Sequence, residues 1–153
     1  MTLYHCVMDK VTVGIVSDNK RFRMAYRLLI EAEADGFVDV LWDALAGKDV
    51  QASLNHYGLP DVILVDYEGI CNQPSSNLKK RKLKELQKLF PNSNILFIYN
   101  DCDKSNPVKM GKDLRQFLVS KYCSAQKLLQ FISNTVLCTI LLKRPSRIGL
   151  LHK

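Results

Sequence analysis

The chain contains no run of about 18 apolar residues, so no membrane-spanning helix is expected. Its first ten residues, MTLYHCVMDK, lack the charged start and long apolar stretch of a signal peptide. A cytoplasmic location with no membrane partner follows as the expectation. No cysteine pair stands at C-x-x-C spacing, and no zinc pattern occurs. The five cysteines (Cys6, Cys71, Cys102, Cys123 and Cys138) are odd in number and widely spaced, so reduced thiols are expected. Neither an internal repeat nor a second domain is visible. At 153 residues the chain is long enough to bury a core of its own as one domain.

Acidic residues are the scarcer charge, 15 against 22 Lys and Arg, for a net +7. That excess is localised. Residues 79–88, KKRKLKELQK, carry +5 and residues 143–153, KRPSRIGLLHK, carry +4, so the rest of the chain carries −2. Two basic patches are thus attached to a mildly acidic body. Such patches can contact nucleic acid or acidic partners, but a charge run by itself more often marks a solvated helix face and a solubilising tail. The division read from this is one folded domain over 1–142, with 143–153 a basic tail or the start of a linker.

What is present is an alternation of strands and helices. Residues 11–16, VTVGIV, read as a buried strand, and Ser17-Asp18-Asn19 after it can cap a helix. Phe22, Tyr26, Leu29 and Glu33 follow at helical spacing, with Gly36 as the stop. Residues 37–41 read as a second strand and 48–56 as a short helix. Residues 62–65, VILV, form the most continuous strand, the third. A polar loop over 67–77 leads to a basic helix over 78–90. Residues 95–99 read as the fourth strand, 107–113 as a poorly patterned fourth helix, and 117–119 as the fifth strand. A long fifth helix covers about 124–142.

Five such alternations imply an α/β fold, a doubly wound parallel sheet with helices on both faces. Crossovers in these sheets are right-handed. In a flavodoxin-like order, 2-1-3-4-5, functional groups gather beyond the carboxyl ends of the strands. That rule selects Ser17 and Asp18, Asp66, Tyr99 and Asn100, and Ser120 and Lys121. Asp18 and Asp66 arrive from neighbouring strands. Two carboxylates at one rim repel unless a cation joins them, and Mg²⁺ suits oxygen ligands of this kind. Lys121 adds positive charge, and an Asp carboxylate can serve as nucleophile towards a phosphoryl group.

With IVSDNKRFR after the first strand, PDVILVD at the third and FLVSKYCSAQKLLQFI at the fifth, the chain resembles the receiver domain of two-component response regulators. The resemblance covers roughly residues 10–135. It is nearest to receivers that precede a helix-turn-helix output domain. It implies that Asp66 is the phosphorylated residue, and that Mg²⁺ is held by Asp18, Asp66 and the backbone carbonyl of Glu68. It also implies that Lys121 contacts the phosphoryl group.

The pattern is atypical. Ser17 stands where the family has a second acid, which should weaken Mg²⁺ binding, although Ser17 could still hold a metal-bound water. Tyr99, 22 residues before Lys121, replaces the small switch hydroxyl, with Asn100 beside it. Gly69-Ile70 replaces the usual Met-Pro, and Tyr122 replaces the Pro after the Lys.

The expected function is a phosphorelay switch. A histidine kinase or small phosphodonor would phosphorylate Asp66. The face made by the fourth helix, fifth strand and fifth helix would then homodimerise or bind a partner. DNA would be reached through an output domain outside this chain, or weakly through the basic patches. The alternative is a phosphorylation-independent docking or dimerisation module with a degenerate acidic site. A hydrolase using Asp66 and Glu68 fits poorly, because aspartyl phosphatases carry a second Asp and a lid; no enzymatic activity is expected. Asp66 and Asp18 also have plain structural readings, as a turn cap and a helix cap. Cys71, Cys102 and Cys123 fall in loops at the same rim without a known ligand spacing.

Overall fold

The run Val62-Ile63-Leu64-Val65 can be apolar at every position only if both faces of its strand are covered, and all four residues are fully buried. Each such side chain contributes about 1.5–3 kcal/mol when removed from water, which makes this strand the centre of the fold. The computed structural model describes residues 10–69, 76–100, 108–109 and 116–142. In chain order these form β1 (Val11–Val16), α1 (Lys20–Glu33), β2 (Val38–Ala44), α2 (Lys48–Tyr57) and β3 (Val62–Asp66). They continue with α3 (Ser76–Leu89), β4 (Asn94–Tyr99), β5 (Val108–Lys109), β6 (Gln116–Ser120) and α4 (Ala125–Leu142).

Among the described residues the strands form one sheet in the order β2-β1-β3-β4-β6-β5. The first five strands of that order are mutually parallel. This is the expected flavodoxin-like order, with β6 as the fifth parallel strand. Val13, Ile15, Val62, Leu64, Leu96 and Ile98 face Ile30 of α1 and Leu128 and Ile132 of α4. On the opposite face Trp42, Ile63, Val65, Ile95 and Phe97 pack with Val50 of α2, Leu86 of α3 and Phe90. The sheet is therefore covered on both sides by amphipathic helices.

Two expectations need correction. No helix stands at residues 108–109, where one was expected over 107–113. Val108 and Lys109 form β5, antiparallel to β6, with Val108 opposite Leu118 and Lys109 opposite Phe117. The other residues of that range lie outside the described ones. The segment has no apolar stripe at helical spacing, and the outer edge of β6 offers backbone groups that need partners. The expected homodimer face, built on a fourth helix, therefore has a strand edge at these two residues. The second correction is to β2, which runs on to Ala44 instead of stopping at 41.

Helix α1 is capped by Asn19, whose side chain accepts from Arg21 N at 2.9 Å, and not by Asp18. It ends at Glu33, after which Asp35 and Gly36 take left-handed backbone, φ 52° and 83°. Gly36 adopts that region without steric cost, as the sequence led us to expect. No helix among the described residues is long and apolar enough to cross a membrane. The tail 143–153 lies outside them.

Candidate functional site

Strand register places the selected residues at one rim. Val16 pairs with Val65, Asp66 with Ile98, and Tyr99 with Ser120. The residues just beyond β1, β3, β4 and β6 therefore share the carboxyl edge of the sheet.

Asp66 ends β3 and is half-buried. A tight turn over Tyr67–Gly69 folds back on its carboxylate. Gly69 N donates to Asp66 Oδ1 at 3.0 Å, and Tyr67 N to Ile98 O at 2.9 Å. Ser17, fully buried, donates from Oγ to Asp66 Oδ2 at 2.8 Å and accepts from Asn19 N at 2.9 Å. Its hydroxyl is thus used twice. A second acid here would place two carboxylates at hydrogen-bond distance; Ser keeps the contact neutral. Ser17→Ala removes a buried hydrogen bond to a charged group and is expected to destabilise the fold by about 2 kcal/mol, measured by urea unfolding. A loss under a few tenths would mean that Asp66 turns to water instead.

Asp18 faces elsewhere. Its backbone N donates to Gly69 O at 3.1 Å, which ties the β1 and β3 loops together. Its side chain, however, accepts from Ala46 N at Oδ1 (3.1 Å) and pairs with Lys82 Nζ at Oδ2 (3.5 Å). The carboxylates of Asp18 and Asp66 share a rim without converging on one point. Glu68 turns its carboxylate to Asn100 N at 2.7 Å. No cluster of three or more His, Cys, Asp or Glu side chains able to hold a metal exists among the described residues. This arrangement does not fit an assembled Mg²⁺ centre.

What does converge is a cavity of about 190 Å³ lined by Asp66, Glu68, Tyr99, Asn100 and Lys121, with Asn19, Phe22 and Ile98. Of the residues selected at the strand ends, Asp66, Tyr99, Asn100 and Lys121 meet there, joined by Glu68, while Ser17, Asp18 and Ser120 do not line it. Lys121 N donates to Tyr99 O at 2.8 Å, locking the ends of β4 and β6. Tyr99 lines the cavity and its hydroxyl oxygen is buried. Beside Phe22 stands Tyr26, ring centroids 4.5 Å apart. Burial pushes the Tyr26 phenol up to about 12, helped by the negative charge of Asp66 and then by Cys123.

Several solved structures share this architecture. A response regulator receiver domain protein from Clostridium thermocellum superposes at a TM-score of 0.58, with 15% identity, covering 86% of this chain and 98% of that one. A two component transcriptional regulator AraC from Clostridium phytofermentans matches at 0.56 and 21%, covering 90% and 99%. RcsB from Salmonella enterica serovar Typhimurium, bound to promoter rprA in the presence of phosphomimetic BeF₃⁻, matches at 0.57 and 15%, covering 90% and 67%. The chain has the fold of a response-regulator receiver domain. No protein-family model and no curated protein matches the sequence.

In this receiver fold several site neighbours escaped the sequence reading. Arg23 donates from Nη1 to Ser17 O (2.6 Å) and pairs through Nε with Asp43 (3.3 Å), while Arg27 pairs with the same Asp43 at 2.7 Å. In sequence Lys82 is one member of a basic run and Gly69 a departure from the receiver pattern. The i, i+4 spacing of Arg23 and Arg27 was the one local signal. Cys123 follows β6 half-buried, and burial raises its thiol pKa against the lowering effect of Lys127, which disfavours a reactive thiolate. Cys71 and Cys102 lie outside the described residues.

Proposed function

We propose that the chain is a response-regulator receiver in which Asp66 accepts a phosphoryl group from a histidine kinase or a small phosphodonor. The observation that supports this reading most is the shared cavity of Asp66, Lys121, Tyr99 and Asn100 at the carboxyl edge of the sheet. An Asp66 carboxylate oxygen would attack phosphorus, forming the acyl phosphate, while the donor's bond to phosphorus breaks and the donor leaves with that electron pair. The Lys121 ammonium would neutralise part of the added charge. Asn100, next to Tyr99, would contribute a polar contact.

A divalent cation such as Mg²⁺ would be held by Asp18, Asp66 and the Glu68 carbonyl only once Asp18 leaves Lys82 and Ala46. Tyr99 fills the place of a small hydroxyl, so any switch here moves a ring instead. A new negative charge at this rim biases a pre-existing equilibrium in the β4 and β6 ends, which Lys121 N and Tyr99 O couple. The output would be a partner protein, a second copy, or DNA through an attached module; RcsB is bound to promoter DNA in one of the similar structures.

The test is intact mass after incubation with acetyl phosphate and Mg²⁺. Wild type is expected to gain one phosphoryl group and Asp66→Ala none. A wild type that gains nothing, under conditions where a known receiver does, would leave the phosphorylation-independent docking module as the better reading.

A further inference from the structure

Lys82 lies in the run 79–88, one of six Lys and Arg residues there. Its neighbours Lys80, Arg81, Lys84 and Lys88 are exposed, as a solvated helix face should be. Lys82 is different. Leu86, four residues on and therefore on the same side of α3, is 3% exposed in the core. Lys82 sits one turn nearer the start of α3, which is the end closer to the carboxyl edge of the sheet. Its Nζ stands 3.5 Å from Asp18 Oδ2, with the two side chains 29% and 18% exposed. The other Asp18 oxygen accepts from Ala46 N, in the loop before α2. Both oxygens are therefore engaged on the α2–α3 side of the sheet, while Asp66 is held by Ser17 and Gly69.

We propose that Lys82 is a built-in counter-cation: its ammonium holds Asp18 in the charge role a divalent ion would otherwise take, and so suppresses metal binding. A divalent ion entering beside Asp18 must displace the ammonium or lie next to its positive charge, and either costs binding free energy. Ser17 adds to this by removing a carboxylate from the same rim. The inference concerns the charge of the pocket and stands whether or not Asp66 is phosphorylated.

The experiment is titration of the full chain with Mn²⁺ (by electron paramagnetic resonance) and Mg²⁺ (by calorimetry), with no phosphodonor present. Lys82→Met is expected to tighten Mn²⁺ binding by about tenfold through loss of one neighbouring charge. Lys82→Arg should stay at the wild-type affinity. Lys82→Met with Asp18→Asn should lose the gain. Lys82→Gln repeats the measurement if methionine disturbs the helix, with circular dichroism reporting the fold. Equal affinities of wild type and the neutral variants would overturn the proposal. So would a gain that survives Asp18→Asn, because the metal would then sit elsewhere.

Discussion

Gly69→Ala is expected to lower the melting temperature by about 6–12 °C, for roughly 3 kcal/mol of overpacking and lost hydrogen bonds in a chain of this size. A Cβ on Gly69 would collide with Asp66 Oδ2, lie 2.7 Å from Asp66 Cγ and press on Ser17 Oγ at 3.2 Å. Gly69 is not among the glycines with left-handed backbone, so the requirement is for space and not for an unusual φ. Relief means turning the Asp66 side chain away or opening the turn. Either breaks the bond from Gly69 N to Asp66 Oδ1, and opening the turn also strains the bond from Asp18 N to Gly69 O. Thermal melting by circular dichroism checks it, and a shift under about 2 °C would show that the turn stands off the carboxylate. The same variant should change the rate of the Asp66 mass gain, since the turn shields one side of the nucleophile.

Trp42→Ala should cost more, about 4 kcal/mol, or roughly 8–16 °C in melting temperature. Trp42 is 2% exposed and packs with Phe90 at a centroid distance of 6.2 Å. Its Nε1 donates to Gly58 O at 3.0 Å, so truncation also takes a partner from that carbonyl. The ring lies over Gly14, where even a Cβ would approach Trp42 Cη2 to 2.9 Å. Alanine cannot refill this volume because β1 and β2 are fixed by the sheet ladder. Trp42→Phe should recover part of the loss but not the bond to Gly58. Equal stabilities of the Phe and wild-type proteins in urea would remove the hydrogen bond from this account.

The extension of β2 shows why the sequence reading stopped short there. Past Leu41 the sequence shows Trp42 and then a charged Asp43, but not what meets that charge. In the fold its charge is met by Arg23 and Arg27 from α1, so the strand continues through it to Ala44. Likewise β5 escaped notice because two residues give no periodicity, and an edge strand is defined by its neighbour. The core positions of β3 and β4 were legible because consecutive apolar residues leave few alternatives to a strand covered on both faces. The rim residues were legible for a related reason. Once strand ends and sheet order are known, the carboxyl edge selects them.

From the sequence alone come the five parallel strands, the helices that alternate with the first three of them, and the set of residues delivered to the sheet edge. These follow from local apolar runs and from the direction of the chain, which are one-dimensional properties. The tertiary structure decided which way each carboxylate turns. Asp66 is held by Ser17, 49 residues away; Asp18 is held by Ala46 and Lys82, 28 and 64 residues away. A carboxylate takes whichever donors the fold brings within about 3 Å, and no local pattern encodes donors from other elements. The acids therefore reach the same rim, as the strand ends require. Asp66 opens on the cavity with Lys121, and Asp18 is paired with a lysine from the basic helix.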